Sequence, residues 1–407
     1  MITDRMQGAR ILIYSHDTFG LGHLRRCRTI AHALVDNFKG LSVLILSGSP
    51  IIGSFDFRAR VDFVRIPGVI KLHNGEYTSL GLHIDIQETL AMRASIIRHT
   101  AEAFAPDLFL VDKEPLGLEG EVESTLRMLH ERGTVNVLGL RDVLDDPLLL
   151  KREWRRKKAV PAVRTLYDQI WVYGPRELGD PLAGLDLGRR TRERVVHTGY
   201  LERSVSPGTT RMHPLPFTDP YLLVTGGGGG DGTIMFDWVL RAYEADRRLP
   251  HPAIFVLGPF MQPDAQREFM ERAGRLHDVA VLTFDAHIEL LIKDAAALVA
   301  MGGYNTFCEI LSFDKPALLV PRSQPRREQL IRARRAQELG LTSMLDPDGA
   351  RDTAAMIAAL RELDQQAPPS AAGLHGLLNG LEIINALVDR QLGDTQRDYG
   401  MLGAHGT

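Results

Sequence analysis

Short apolar runs alternate with amphipathic helical stretches along this chain, and the alternation occurs twice with one break between. In the first series the runs are Ile11–Tyr14, Leu41–Leu46, Phe63–Ile66, Leu108–Val111, Val135–Leu140 and Ile170–Tyr173. Helical stripes separate them: Leu90, Ala94, Ile97, Ala101 and Phe104 in one, Val122, Thr125, Leu126 and Leu129 in another. Apolar runs of this length, each followed by a helix, argue for parallel strands covered on both faces. From Leu201 to Pro220 the pattern lapses into a segment rich in Pro, Ser and Thr, which reads as a linker. A second series then opens with Tyr221–Thr225, Ala253–Leu257, Val279–Phe284, Ala296–Ala300 and Ala317–Val320. The expected fold class is α/β, two doubly wound Rossmann-like domains with a cleft between them. Ligands of such sheets bind outside the carboxyl ends of the strands.

The expected boundaries are 1–200 for the first domain, 201–220 for the linker and 221–370 for the second domain. A long amphipathic helix over 371–393 is expected to pack back across the domains, followed by a polar, mobile tail over 394–407. With 407 residues, 44% hydrophobic and 24% charged, the composition is that of a globular enzyme. A net charge of −3 offers no footprint for nucleic acid. Two cysteines, Cys27 and Cys308, both on apolar helix faces, fit a reducing cytoplasm. Neither a signal peptide nor a membrane-spanning segment is legible.

Several motifs could carry chemistry. Gly226, Gly227, Gly228, Gly229 and Gly230 follow the first strand of the second domain and precede a helix. Glycines let backbone N–H groups approach an anion, and a helix N-terminus adds partial positive charge, so the loop could hold a diphosphate. It could also be a glycine loop without a ligand, for its spacing is neither a P-loop nor a dinucleotide fingerprint. In "TFGLGHLRRC", Gly20, Gly22 and His23 lie where the first strand hands over to a helix. Charged residues end two further strands: Asp112, Lys113 and Glu114, then Arg141 and Asp142. At strand carboxyl ends such groups bind ligand or pair with one another. "NGEY" contributes Glu76 as a further acceptor-side candidate. "LLLKREWRRKKAV", 148–160, sets six basic residues against one acid beside Trp154. It reads either as an anionic membrane contact or as a solvated helix face.

The most informative string is "MGGYNTFCEILSFDKPALLVPR", Met301–Arg322. Gly302 and Gly303 end a strand, Asn305 or Thr306 is expected to cap a helix, and Glu309 lies one turn inside it. A carboxylate there can accept from a ribose diol, or simply favour the helix dipole. The string resembles the donor-binding half of the GT-B glycosyltransferases, especially the MurG-like group. The likeness rests on Gly302, Gly303, Asn305, Thr306, Glu309, Lys315, Pro316, Pro321, Glu328 and Gln329, in that order. It extends loosely to the two glycine loops. The first loop is poorer in glycine than that family's, and "RSQPRREQ" carries three arginines where the family is more neutral.

The resemblance implies an inverting hexosyltransferase with no metal and no bound cofactor. It would use a nucleotide-diphosphate sugar, with UDP the expected carrier, and a hydroxyl acceptor that could be a lipid-linked or polysaccharide precursor of the cell envelope. It places the catalytic base at His23, and similarity to the plant-type transferases makes Asp112 the residue that orients it. Gly226 to Gly229, Gly302, Gly303, Asn305, Thr306, Glu309, Glu328 and Gln329 become donor-binding. Gly20, Gly22, Glu76, Glu114, Arg141 and Asp142 fall to the acceptor side. The expected location is cytoplasmic, with peripheral membrane contact through 148–160. A nucleotide-sugar hydrolase or 2-epimerase shares this plan, as would a non-catalytic sugar-nucleotide-binding subunit.

Overall fold

A computed structural model describes residues 6–16, 22–71, 76–206, 208–211, 214–227 and 230–393. Gly20, Gly228, Gly229, Asn74 and the tail over 394–407 lie outside the described residues. The chain divides into two compact units. The first takes the described residues of Met1–Asp142, Pro147–Leu201 and Asn379–Thr407; the second takes Val143–Asp146 and Glu202–Leu378.

In the first unit the strands are β1 (Arg10–Ser15), β2 (Ser42–Ser47), β3 (Val61–Arg65), β4 (Val69–Lys71), β5 (Tyr77–Ser79), β6 (Leu108–Asp112), β7 (Val135–Arg141), β8 (Gln169–Tyr173) and β9 (Val195–His197). Seven of them form one parallel sheet in the order β3-β2-β1-β6-β7-β8-β9. Every residue of β6 is buried, as is β1 beyond Arg10, which is why both read as continuous apolar runs. The order reverses between β1 and β6, so chain leaving their carboxyl ends departs in opposite directions and opens a crevice there. Two short elements escape the sequence pattern: the antiparallel hairpin β4–β5, and the edge strand β9. With three residues each, they are too short to show a period.

The helix Ile86–Phe104 is capped by Asp85, whose side chain accepts from Gln87 N at 2.7 Å. Its buried edge runs through Thr89, Arg93, Ile97 and Ala101, while Leu90 and Ala94 are only half-buried. Arg93 is accepted inside because Glu121 takes its fork at 2.6 Å through both oxygens. The C-terminal helix occupies Gly380–Gly393, a shorter span than 371–393, because Gly373 and Gly376 take φ of 68° and 74° before it. It packs on the helix Gly22–Asn37. At its start, a Cβ on Gly380 would come within 2.6 Å of Tyr200 O.

The second unit has β10 (Leu222–Thr225), β11 (Ala253–Val256), β12 (Val279–Leu282), β13 (Ala297–Ala300), β14 (Ala317–Leu319) and β15 (Ser343–Met344). They form a parallel sheet in the order β12-β11-β10-β13-β14-β15, with the reversal between β10 and β13. Phe236, Trp238, Phe255 and Phe269 head its core, closed by Met356 and Leu360 of the helix Thr353–Leu363. Both glycine segments, after β10 and after β13, therefore stand at the switch point. Arg203, within the expected linker, is buried, its N–H donating to Ser312 Oγ at 2.9 Å.

Candidate active site

In the first unit the crevice between β1 and β6 is lined by charge. Asp112 is the last residue of β6 and is 1% exposed; His23 enters from the start of the helix Gly22–Asn37 with 16% of its side chain exposed. His23 Nδ1 lies 2.5 Å from Asp112 Oδ2. Arg26, one turn further along, forks onto the same carboxylate, Nε to Oδ1 at 2.8 Å and Nη2 to Oδ2 at 2.7 Å. Burial opposes ionisation of Asp112, but Arg26 and His23 outweigh it and hold the carboxyl well below its ordinary value. Burial also lowers the His23 imidazole, to about 4; Asp112 opposes that shift and Arg26 reinforces it. An ionised carboxylate can only accept, so His23 carries its hydrogen on Nδ1 and presents the Nε2 lone pair for a proton.

The other strand-end charges are already partnered. Glu114, 5% exposed, accepts from Lys157 Nζ at 2.8 Å and faces Lys113 Nζ at 3.4 Å. Burial works against its charge, yet the two lysines and His16 keep it well below the ordinary carboxyl range. Asp142 is buried and accepts from Tyr200 Oη at 2.7 Å. Arg141, half-buried, ends β7, and Gly22 opens the helix that carries His23. Glu76 is exposed on the hairpin, before β5, rather than at a carboxyl end of the main sheet. His16, directly after β1, sets its ring 5.6 Å from that of His23 in an edge-on arrangement.

The second unit assembles its own cluster. Gly227 takes φ 72°, donates from its N–H to Thr225 Oγ1 at 3.2 Å, and would place a Cβ 3.5 Å from Thr306 Oγ1. Gly226 lies beside Phe236. Gly302 takes φ 75°, a conformation that favours glycine. The helix starts earlier than expected: Gly303 is the N-cap of Tyr304–Ser312, so Asn305 and Thr306 sit in its first turn. Asn305 Oδ1 instead accepts from Arg203 Nη2 at 2.8 Å. Glu309 is 1% exposed within the same helix. Arg322 ties the far side together, pairing with Asp231 at 2.5 Å and with Glu328 Oε1 at 2.7 Å, while its N–H donates to Gln329 Oε1 at 3.2 Å. Arg332, fully buried, donates to Gly302 O at 2.9 Å with its guanidinium over the Tyr304 ring.

The sequence reading brought together His23 with Asp112, and Gly227 with Thr306. It passed over Arg26, Arg203 and Arg332, buried arginines whose only signal was spacing: Arg26 is three residues from His23 on a helix. Of the basic run, Lys157 is spent on Glu114 and Glu153. Trp154, 3% exposed, belongs to the interior.

Residues 254–372 match the glycosyltransferase family 28 C-terminal domain. No curated protein sequence matches the chain. Among solved structures, the glycotransferase of kitacinnamycin superposes with a TM-score of 0.63 at 16% identity, covering 95% of this chain and 100% of that one. MurG of Acinetobacter baumannii gives 0.57 at 12% identity, covering 94% and 99%. A Listeria monocytogenes protein provisionally named a UDP-N-acetylglucosamine 2-epimerase gives 0.60 at 13%, covering 95% and 97%. The fold is GT-B, with two Rossmann-like units and a C-terminal helix.

Proposed function

We propose that the chain is a glycosyltransferase that moves a sugar from a nucleotide-diphosphate donor, UDP-linked, to an acceptor hydroxyl with inversion. The observation that carries this reading is the 2.5 Å approach of His23 to a buried, ionised Asp112 at a sheet switch point. His23 takes the acceptor proton on Nε2 as the acceptor oxygen bonds to the anomeric carbon. The bond from that carbon to the diphosphate oxygen breaks, and the nucleotide diphosphate leaves with the electron pair. Asp112 steadies the imidazolium that forms.

The reading gives the donor to the second unit. Gly226, Gly227, Gly228, Gly229, Gly302 and Gly303 would let backbone approach the diphosphate, with Asn305 and Thr306 at the helix N-terminus beside them. Glu309 would take the ribose, and Glu328 and Gln329 the sugar. Gly20, Gly22, Glu76, Glu114, Arg141 and Asp142 remain acceptor-side proposals; the partners already held by Glu114 and Asp142 suit them to shaping the site.

Residues 148–160 would contact an anionic membrane surface on the cytoplasmic side, which suits a lipid-linked or cell-envelope precursor as acceptor. In support, Leu148 is 69% and Leu149 41% exposed beside exposed Lys151, Arg152, Arg155 and Arg156. Among the described residues no helix is long and apolar enough to cross a membrane.

The likeness to the Listeria protein favours a second reading, a nucleotide-sugar 2-epimerase or hydrolase. Nucleotide diphosphate release, assayed with and without candidate acceptors, separates them. Release that requires acceptor supports the transferase; release equally fast without it supports the hydrolase, and interconversion of donor sugars the epimerase. Absence of any turnover in a protein that binds nucleotide sugar would leave a binding subunit.

A further inference from the structure

The buried face of the helix Gly22–Asn37 contains a charged side chain, Arg26, 2% exposed among Leu24, Cys27, Ile30 and Ala31. Its Nη2 lies 2.7 Å from Asp112 Oδ2 and 3.0 Å from His23 Nδ1, so one carboxylate oxygen serves both the guanidinium and the imidazole. We propose that Arg26 is a positioning residue of the base: it locks the Asp112 carboxylate and cancels its charge, so that His23 rests as a neutral imidazole. The inference builds on the reading of His23 as the base.

Charge counting gives the reason. In a bare histidine–aspartate pair, protonating the imidazole turns a net −1 into a neutral ion pair, which burial favours. With Arg26 present the cluster is neutral beforehand and becomes +1, which burial opposes. The groups around it do not restore a negative charge. On the same helix stands Cys27; just past β6 stands Lys113, a cation; just past β1 stands His16, whose own burial keeps it neutral. From β8 comes Tyr173, its ring 6.0 Å from the Arg26 guanidinium and its phenol raised by burial. Glu114 is engaged with Lys157. Remove the guanidinium, and Asp112 acts on His23 alone.

The test is a pH titration of the full chain labelled with 15N-histidine, followed by NMR, with His23→Ala identifying the His23 signals. Arg26→Met should raise the His23 midpoint by about one pH unit or more, a tenfold change in proton affinity. Arg26→Lys, which keeps the charge, should stay near wild type. The acid limb of turnover should move upward with the midpoint in Arg26→Met. If that variant fails to fold, Arg26→Gln has the same expected shift, since it retains a donor toward Asp112 without the charge. An unmoved midpoint in a folded variant overturns the proposal, even where turnover falls. Should His23→Ala keep wild-type turnover, the base assignment fails, while the titration still decides what Arg26 does to the imidazole.

Discussion

At the scale of single residues, His23 and Asp112 call for different experiments. His23 is partly open, so His23→Ala should leave the fold and donor affinity near wild type while turnover falls by about 10²–10⁴-fold, the usual worth of a general base. Steady-state turnover beside donor calorimetry checks this, and wild-type turnover in the mutant would sink the assignment. Asp112 is different because Arg26 depends on it. Asp112→Ala leaves a buried guanidinium without the carboxylate it pairs with and should lower stability by about 3–5 kcal/mol, read as a shifted urea midpoint. The pH profile follows from the lowered imidazole. A group held at about 4 stays neutral, and therefore competent, as pH falls from 8 to 5. Turnover should be flat across that window and drop only toward pH 4; a half-maximal point near 6.5 would mean an ordinary, unburied histidine.

At the scale of elements, the turns after β10 and β13 are where the sequence motifs meet the proposed donor site. Gly227 stands at φ 72°, where a β-branched residue is strained by roughly 1–2 kcal/mol. Gly227→Val should abolish UDP binding while uridine still binds weakly, if the loop serves the diphosphate; equal loss of both would mean it shapes the whole pocket. Glu309 gives the sharper case. At 1% exposure it is among the least accessible of the proposed donor residues, so the proposed ribose contact calls for a direct check. Glu309→Ala should weaken UDP by about ten- to a hundredfold, the loss expected from about 1.5–3 kcal/mol of hydrogen bonding to a charged acceptor. Unchanged affinity in a folded variant would make Glu309 a packing residue. The glycine pair was legible because a strand, two glycines and a helix form one local unit. The cap was misread because Asn and Thr favour that place in general, while here Gly303 takes it and Arg203 claims Asn305.

For the whole molecule, the expectation is acceptor dependence and surface attachment. Co-sedimentation with anionic vesicles should fall when Lys151, Arg152, Arg155 and Arg156 are replaced by Gln, and should persist with Lys157→Gln alone, since Lys157 is turned to Glu114. Binding that ignores the four substitutions would assign this helix to solvent.

What the sequence determined by itself was everything with a period or a local signature: the doubly wound α/β pattern, most strands of both sheets, and the glycine turns at their carboxyl ends. These are short-range consequences of burying a strand on both faces and of backbone that only glycine adopts easily. The pairing of His23 with Asp112 was legible only through resemblance, for the two stand 89 residues apart. Tertiary structure alone decided which charges go inside. Arg26, Arg93 and Arg332 sit on helices at positions where composition predicts solvent, yet all three are buried. Arg26 and Arg93 find their carboxylates on distant segments, and Arg332 finds the carbonyl of Gly302. A buried cation is tolerable only when an acceptor meets it, and that meeting is a property of the folded chain.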